Sequence, residues 1–371
     1  MEELKSWSKA WDVETLTEAV GQVVILKNKG GISPKGAIAA PKGGTVIAAY
    51  AYHDDQSGLY DVVYIHLDGS GSLIDTQHEQ EGVLPELFHS PDGAVWVSLG
   101  TTSGKELDIA LPLYGRSEHA APKGTRPFPG KYAASFGTLA WFHDEDWFSE
   151  KKPDRLLRLE FADGSIQSNK VIKLPMPKNN KISLDPEGRL GLLAVLYQEE
   201  ELLHRTLDGQ GGVIEERRLS GFEADMLQVL ELGSERDMRV IFTMENKLSL
   251  GIIAPDGRRE THALYELQSP FYSMWEPMRL ADGTDIIRFT FEEGNGWAIV
   301  QNKGLRAIFT HSGERGYTNR LTGELLPIPS SKPLVLNDIC RVSDQAYRVI
   351  VYPMMKGAAE ARQLFIAQLE L

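Results

Sequence analysis

Apolar residues recur along the chain in short alternating or β-branched runs. TVIAAYAY (45–52), AVWVSLG (94–100), TLAWF (138–142), RLGLLAVLY (189–197), RVIFTM (239–244), DIIRFTF (285–291) and YRVIVY (347–352) are of this kind. Runs this short, with a period near two and rich in Val, Ile and aromatics, predict buried strands rather than helices. Turn-forming residues stand at or just before each run: Lys42-Gly43-Gly44, Pro91-Asp92-Gly93, Phe136-Gly137, Pro186-Glu187-Gly188, Leu232-Gly233-Ser234, Ala281-Asp282-Gly283 and Ser343-Asp344-Gln345. A second set lies out of phase with the first, at Asp68-Gly69, Tyr114-Gly115, Asp163-Gly164, Asp208-Gly209, Asp256-Gly257 and Lys303-Gly304, spaced 45 to 49 residues apart. Both sets supply the backbone angles that tight hairpins need.

Several strands per unit and a period in the forties predict a β-propeller. Each unit reads as a four-stranded antiparallel meander, A to D from the inside outward. The first set of turns joins A to B and the second joins C to D. Seven A–B turns stand against six C–D turns. The last C strand, QLFIAQLEL (363–371), ends the chain, and a matching D strand, GQVVILK, lies at 21–27. The expected fold is therefore an all-β, seven-bladed propeller, its ring closed by the N-terminal strand, which completes the last blade and removes an open sheet edge. No low-complexity linker divides it. Residues 20–371 are expected to form one domain, and residues 1–19, with Trp7 and Trp11, a cap or tail.

Over nearly its whole length the chain resembles bacterial seven-bladed propellers of the WD40 or YVTN kind. It lacks the Gly-His and Trp-Asp signatures of WD40 blades. Ser90-Pro91-Asp92-Gly93-Ala94-Val95-Trp96 echoes the Asp-box of sialidases, with its glycine one place early. The resemblance implies a rigid ring with a binding or catalytic funnel, and names no substrate.

Composition narrows the partners. The formal net charge is −13, and no Lys/Arg run forms a basic patch, so nucleic acid is not expected. The longest apolar run, 190–197, is too short for a membrane span. The single cysteine, Cys340, permits no intramolecular disulfide, and the first residues carry no apolar segment like a signal peptide. A cytoplasmic protein with no membrane partner is the expectation.

The A–B and C–D turns should share one face, made of short Gly/Asp turns. The B–C and D–A loops should share the other, where the funnel opens and function concentrates. The B–C loops are acidic, and most of them carry aromatics: Tyr52-His53-Asp54-Asp55, His143-Asp144-Glu145-Asp146-Trp147, Tyr197-Gln198-Glu199-Glu200-Glu201, Met244-Glu245-Asn246 and Phe291-Glu292-Glu293. Simple solvation accounts for such acids. So does a cationic ligand, drawn by negative potential. So does a divalent metal such as Ca²⁺ on His53, Asp54, His143 and Asp144. Two D–A loops are long. Residues 121–131 carry Arg126, and residues 311–332 carry Arg315 and Tyr317, reading equally as a lid or as a surface insertion. A third, 269–277, holds Phe271, Tyr272 and Trp275, as a binding surface or as packing between blades.

No nucleophile elbow, zinc helix or phosphate loop is present. The expected function is a ligand- or protein-binding module without a required cofactor. Its candidate contacts are His53, Asp54, His143, Asp144, Trp147, Glu292, Arg126, Arg315, Tyr317 and Trp275, and its ligand is a protein, a basic peptide or a small cation. The alternative is a metal-dependent hydrolase, lactonase or lyase with its site in the funnel.

Overall fold

Every apolar run named above forms a strand. The computed structural model describes residues 12–18, 21–28, 30–53, 59–79, 83–90, 93–100, 107–114, 131–144, 155–162, 165–175, 181–184, 188–196, 201–220, 224–232, 237–280, 282–311, 316–328, 330, 333–353 and 363–371. The strands pair as antiparallel meanders. In the first sheet, Ile32–Ala40, Gly44–Tyr52, Tyr60–Leu67 and Leu73–Glu79 follow one another. Further four-stranded meanders cover 131–173, 181–220 and 226–266, and a three-stranded one covers 83–114. The last sheet mixes both ends of the chain: Gln363–Glu370 lies between Ala346–Pro353 and the N-terminal strand Gly21–Lys27, with Val23 opposite Ala367 and Lys27 opposite Gln363. Asp12–Glu18 adds an outer strand. From Ile32–Ala40 to Phe271–Met274 the first strands of successive sheets adjoin one another, Leu334–Arg341 of the last sheet adjoins Gly294–Gln301, and it also adjoins Ile32–Ala40 of the first. Sheets set side by side around their inner strands make this an all-β propeller.

The core lies between neighbouring sheets rather than in one centre. Ile47, Ala49, Val63 and Ile65 of the first sheet pack with Val24, Leu26, Ile350, Leu364 and Ile366 of the last. The opposite face of the first sheet, through Val46, Ala48 and Val62, meets Val95 and Val97 of the next. Both faces of a middle strand are thus buried, which is why these strands read as continuous apolar runs instead of strict alternation.

The C–D turns are built by their aspartates. Asp68 Oδ1 accepts from the Ser70 and Ser72 amides at 2.8 and 2.9 Å, and Asp208 Oδ1 from Gln210 and Gly212 at 2.7 and 2.8 Å. The Ser70 hydroxyl, which donates to Asp68 Oδ1 at 2.6 Å, and these amides hold the Asp68 carboxyl below the usual carboxylate range, and the amides do the same for Asp208. The left-handed residue is then not the glycine after the aspartate but one two places later, Gly71 (φ 87°) and Gly211 (φ 90°). The turn is longer than an Asp-Gly pair because the Asx bonds consume the first two positions.

Buried arginines staple neighbouring sheets. Arg348 of the last sheet donates to Thr45 Oγ1 (2.9 Å) and Gly69 O (2.8 Å) of the first. Arg239 reaches Asn302 O of the following sheet and an Asp285 already bound by Arg279 at 2.7 Å.

The long segment after His311 is part of its sheet. Gly316–Asn319 pairs with the end of Gly304–His311, and Leu325–Pro327 pairs with Gly316–Asn319 in turn. Tyr317, Leu326 and Ile328 join the core, with the Tyr317 ring edge-on to Trp297 at 6.1 Å. The Tyr317 hydroxyl lies 3.0 Å from Leu334 O and 3.1 Å from Asn295 Oδ1. The described part of this insertion is thus a structural hairpin wedged against the last sheet.

Candidate binding site on the loop face

One inner strand is broken. Phe271–Met274 and Met278–Arg279 both pair with Asp285–Phe291, and Trp275, Glu276 and Pro277 bulge out between them. Proline has no amide to give the ladder, so the strand cannot run through this point. Trp275 keeps one bond, from its amide to Arg288 O at 3.0 Å. A register shift between Phe271 and Ser273 breaks the alternation of side chains. Phe271 and Met274 are buried, while Tyr272 and Trp275 are 62% and 44% exposed. The loop 269–277 therefore both packs and presents aromatics.

The neighbouring turn completes the surface. Met244, 45% exposed, ends Met238–Met244, and Glu245 O accepts from the Phe271 amide at 3.1 Å. Glu245 takes φ 54°, fixed by its own amide donating to Asp225 Oδ2. Asn246 Nδ2 binds Leu267 O at 2.7 Å. Ser269 Oγ donates to Glu293 Oε2 at 2.5 Å, beside an exposed Glu292. The Phe271 end of the strand, beside the exposed Tyr272, is thus bordered by the Met244–Asn246 turn with Asp225 and Glu266 and by the turn carrying Glu292 and Glu293, while Trp275 is exposed three residues further along, level with Arg288. Side chains held through backbone bonds between two sheets form a pre-ordered surface, the kind that aromatic anchors use in recognition.

Behind the break lies a charged group in the wall. Arg288 Nη1 is 3.4 Å from Asn337 O, and its charge faces Asp338, Tyr352 and Glu276. Asp338 Oδ2 accepts from the Ala37 amide at 2.6 Å and Oδ1 from its neighbour Ile339 at 2.8 Å, tying the last inner strand to the first at the bulge between Pro34 and Gly36. Burial pushes the Asp338 carboxyl up to about 6, against the pull of those amides and of Arg288. The charged residues within DIIRFTF and within LVLNDIC were the sequence signal for this pair, masked by the apolar runs around them.

Asp338 carries a pH prediction. Its folded pKa lies above the unfolded 3.8, so its contribution to stability is full below pH 3.8 and is lost as pH rises through 6. At 1.36 kcal/mol per unit the swing is on the order of 2–3 kcal/mol. In denaturant titrations, the advantage of wild type over Asp338→Asn should shrink by that order between pH 4 and 7. A gap constant with pH would show that the carboxyl is not shifted.

The other expected contacts are scattered. His53 Nε2 is 2.9 Å from Asp61 Oδ2 on the facing strand, a half-exposed imidazole against a buried carboxylate at the end of the two middle strands of the first sheet. His143 is buried in Leu139–Asp144, opposite Leu156, and Asp144 ends that strand opposite Arg155. Tyr317 is fully buried, for the reason given above. Trp275 and Glu292 are both exposed, on the broken inner strand and in the turn that follows Asp285–Phe291. Asp54, Trp147, Arg126 and Arg315 lie outside the described residues. Among the described residues no group of three or more His, Cys, Asp or Glu side chains is placed to hold a metal ion. His311, at the start of the segment read equally as a lid or a surface insertion, accepts from the Leu334 amide at 3.4 Å, and burial lowers its pKa.

No protein-family model and no curated protein matches the chain. Solved structures share its outline at low identity. The hydrazine synthase of Kuenenia stuttgartiensis is 12% identical with a TM-score of 0.49, over 92% of this chain and 98% of that one. Virginiamycin B lyase from Staphylococcus aureus is 15% identical with a TM-score of 0.44, over 97% and 99%. The Dos1 propeller is 8% identical with a TM-score of 0.48, over 96% and 95%. At these distances none of them bears on activity.

Proposed function

We propose that the protein is a seven-bladed β-propeller binding module, closed by its N-terminal strand, whose loop face takes a basic peptide or another cationic ligand. The observation that carries the reading is the exposure of Tyr272 and Trp275 on one broken inner strand whose Phe271 end is bordered by Met244 and by carboxylates of two neighbouring turns. An aromatic face attracts a cation, more so when carboxylates supply long-range steering. Two aromatic anchors on a broken but well-bonded inner strand cost little entropy to use. The seven-blade reading draws on the sheets described above and on the pairing of residues 23–27 with the C-terminal strand.

The test is a fluorescence anisotropy titration with a labelled oligo-lysine peptide, and an oligo-glutamate peptide as control. Binding should weaken steeply as salt rises, because rim charges drive encounter. Replacing Tyr272 and Trp275 together by alanine should weaken it at least about tenfold, the size of a modest hot spot. Salt-independent binding, equal affinity for both peptides, or an unaffected double variant would overturn the reading. A divalent ion retained by the purified protein and removed by chelator with loss of stability would favour the hydrolase or lyase alternative instead.

A further inference from the structure

We propose that Arg288, together with Asn337, binds a carboxylate group of a ligand that enters where the inner wall is interrupted. The site stands whether or not Tyr272 and Trp275 take a cation.

Two irregularities of the wall meet here. Phe271–Met274 stops pairing at Phe289, and Met278–Arg279 resumes at Ile286. Arg288 is left without a register partner on that side and keeps one bond, from the Trp275 amide to its carbonyl at 3.0 Å. The next inner strand, Leu334–Arg341, runs Leu336 opposite Val351 and then Asp338 opposite Ile350, so Asn337 is the extra residue of a bulge. A bulge re-aims the side chain it carries. Arg288 Nη1 lies 3.4 Å from Asn337 O, so the guanidinium bridges the strand break and the bulge.

What the guanidinium lacks is acceptors. Among the described residues that long contact is its only hydrogen bond, it makes no ion pair, and its Nε is buried with no partner. The Asn337 carboxamide makes no hydrogen bond among the described residues either. Other interior arginines are used: Arg348 donates to Thr45 Oγ1 and Gly69 O, Arg279 to Asp285 at 2.7 Å and Arg205 to Glu216 at 2.8 Å. Asp338 faces Arg288 but spends both oxygens on the Ala37 and Ile339 amides. Buried donors without acceptors call for an acceptor from outside. Arg288 remains partly exposed, so a ligand can reach it.

The geometry selects a carboxylate. A planar guanidinium takes one through two parallel N–H···O bonds, and the carboxamide adds a further donor. The charges of Asp338 and Glu276 face the same arginine, which weighs against a doubly charged phosphate. The chain as a whole carries −13 and repels anions at long range. A preference for a carboxylate therefore has to come from a local cation.

Calorimetric titration of the full-length protein at pH 7 and low salt tests it, with N-acetyl-lysine and N-acetyl-lysine amide as the probes. Long-range attraction favours the amide, the more cationic of the two. The carboxylate form should nevertheless bind at least about tenfold tighter, through charge-assisted hydrogen bonds. Arg288→Gln should erase that preference. Its melting temperature should stay at or above the wild-type value, because a poorly bonded interior charge is removed. Should it fail to fold, Arg288→Lys keeps the charge without the fork and should lose most of the preference. Acetate separates the sources: binding as tight as that of N-acetyl-lysine marks a free small acid, and much weaker binding marks the end of a basic chain. Either result supports the site. Equal binding of the two lysine derivatives, binding of neither, or a preference that survives in the Arg288 variants would overturn it. Inorganic phosphate displacing N-acetyl-lysine at equal concentration would overturn the carboxylate assignment.

Discussion

A chain beginning at residue 29 is expected to lose its cooperative unfolding transition. The deletion removes Gly21–Lys27, whose residues 23–27 pair with the C-terminal strand. Val23, Val24, Ile25 and Leu26 are each at most 4% exposed, and they alternate between two cores: Val23 and Ile25 pack with Trp297, Phe309 and Phe365, and Val24 and Leu26 with Ile47, Ile65 and Ile366. Four fully buried aliphatic side chains at about 1.5–3 kcal/mol each sum to roughly 6–12 kcal/mol. That is comparable with the whole stability of a typical domain, roughly 5–15 kcal/mol. The edge of Gln363–Glu370 would also be left open to pair with other chains. A chain beginning at residue 20 keeps the pairing strand and should unfold cooperatively, with a midpoint near wild type. Calorimetry and far-UV circular dichroism separate the two. A cooperative transition in the shorter chain would mean that the ring holds without its N-terminal strand.

Sequence alone revealed what repeats. Strands such as 45–52 and 347–352 were legible because both their faces are buried, and that demand leaves an unbroken apolar run. The turns were legible because positive φ selects glycine, although Asp68 and Asp208 show the left-handed position moved two residues along by Asx bonding. The site was less legible because its parts do not repeat. Tyr317 read as a rim residue, since an insertion looks alike whether it floats or folds back as a hairpin. Its burial comes from pairing with residues at the end of a strand, and pairing of that kind leaves no local mark. The bulge between Pro34 and Gly36, where Asp338 ties in, was invisible because a bulge depends on register between two strands and not on either one.

The second large effect is expected at the seam between the last and first sheets. Arg348 is 1% exposed, yet among the described residues its guanidinium is bonded only to neutral oxygens, Thr45 Oγ1 and Gly69 O, with Asp68 as the nearby charge. Burial already lowers its pKa. Arg348→Ala removes both bonds, strands two acceptors and leaves a long void, and should cost about 3–5 kcal/mol. Arg348→Met restores much of the volume without the buried charge and should recover a large part of that loss. A methionine variant as unstable as the alanine one would show that the two hydrogen bonds, rather than filled space, hold the seam. Cys340, the only cysteine, reports on where the loss occurs. Its thiol is buried beside Thr45, 3.7 Å from the hydroxyl that Arg348 holds, and burial pushes its pKa up to about 12. In wild type it should resist a thiol reagent until global unfolding. In Arg348→Ala it should react faster than the global unfolding rate, because the seam opens first. Reaction no faster than unfolding would place the loss in the whole ring and not in this junction.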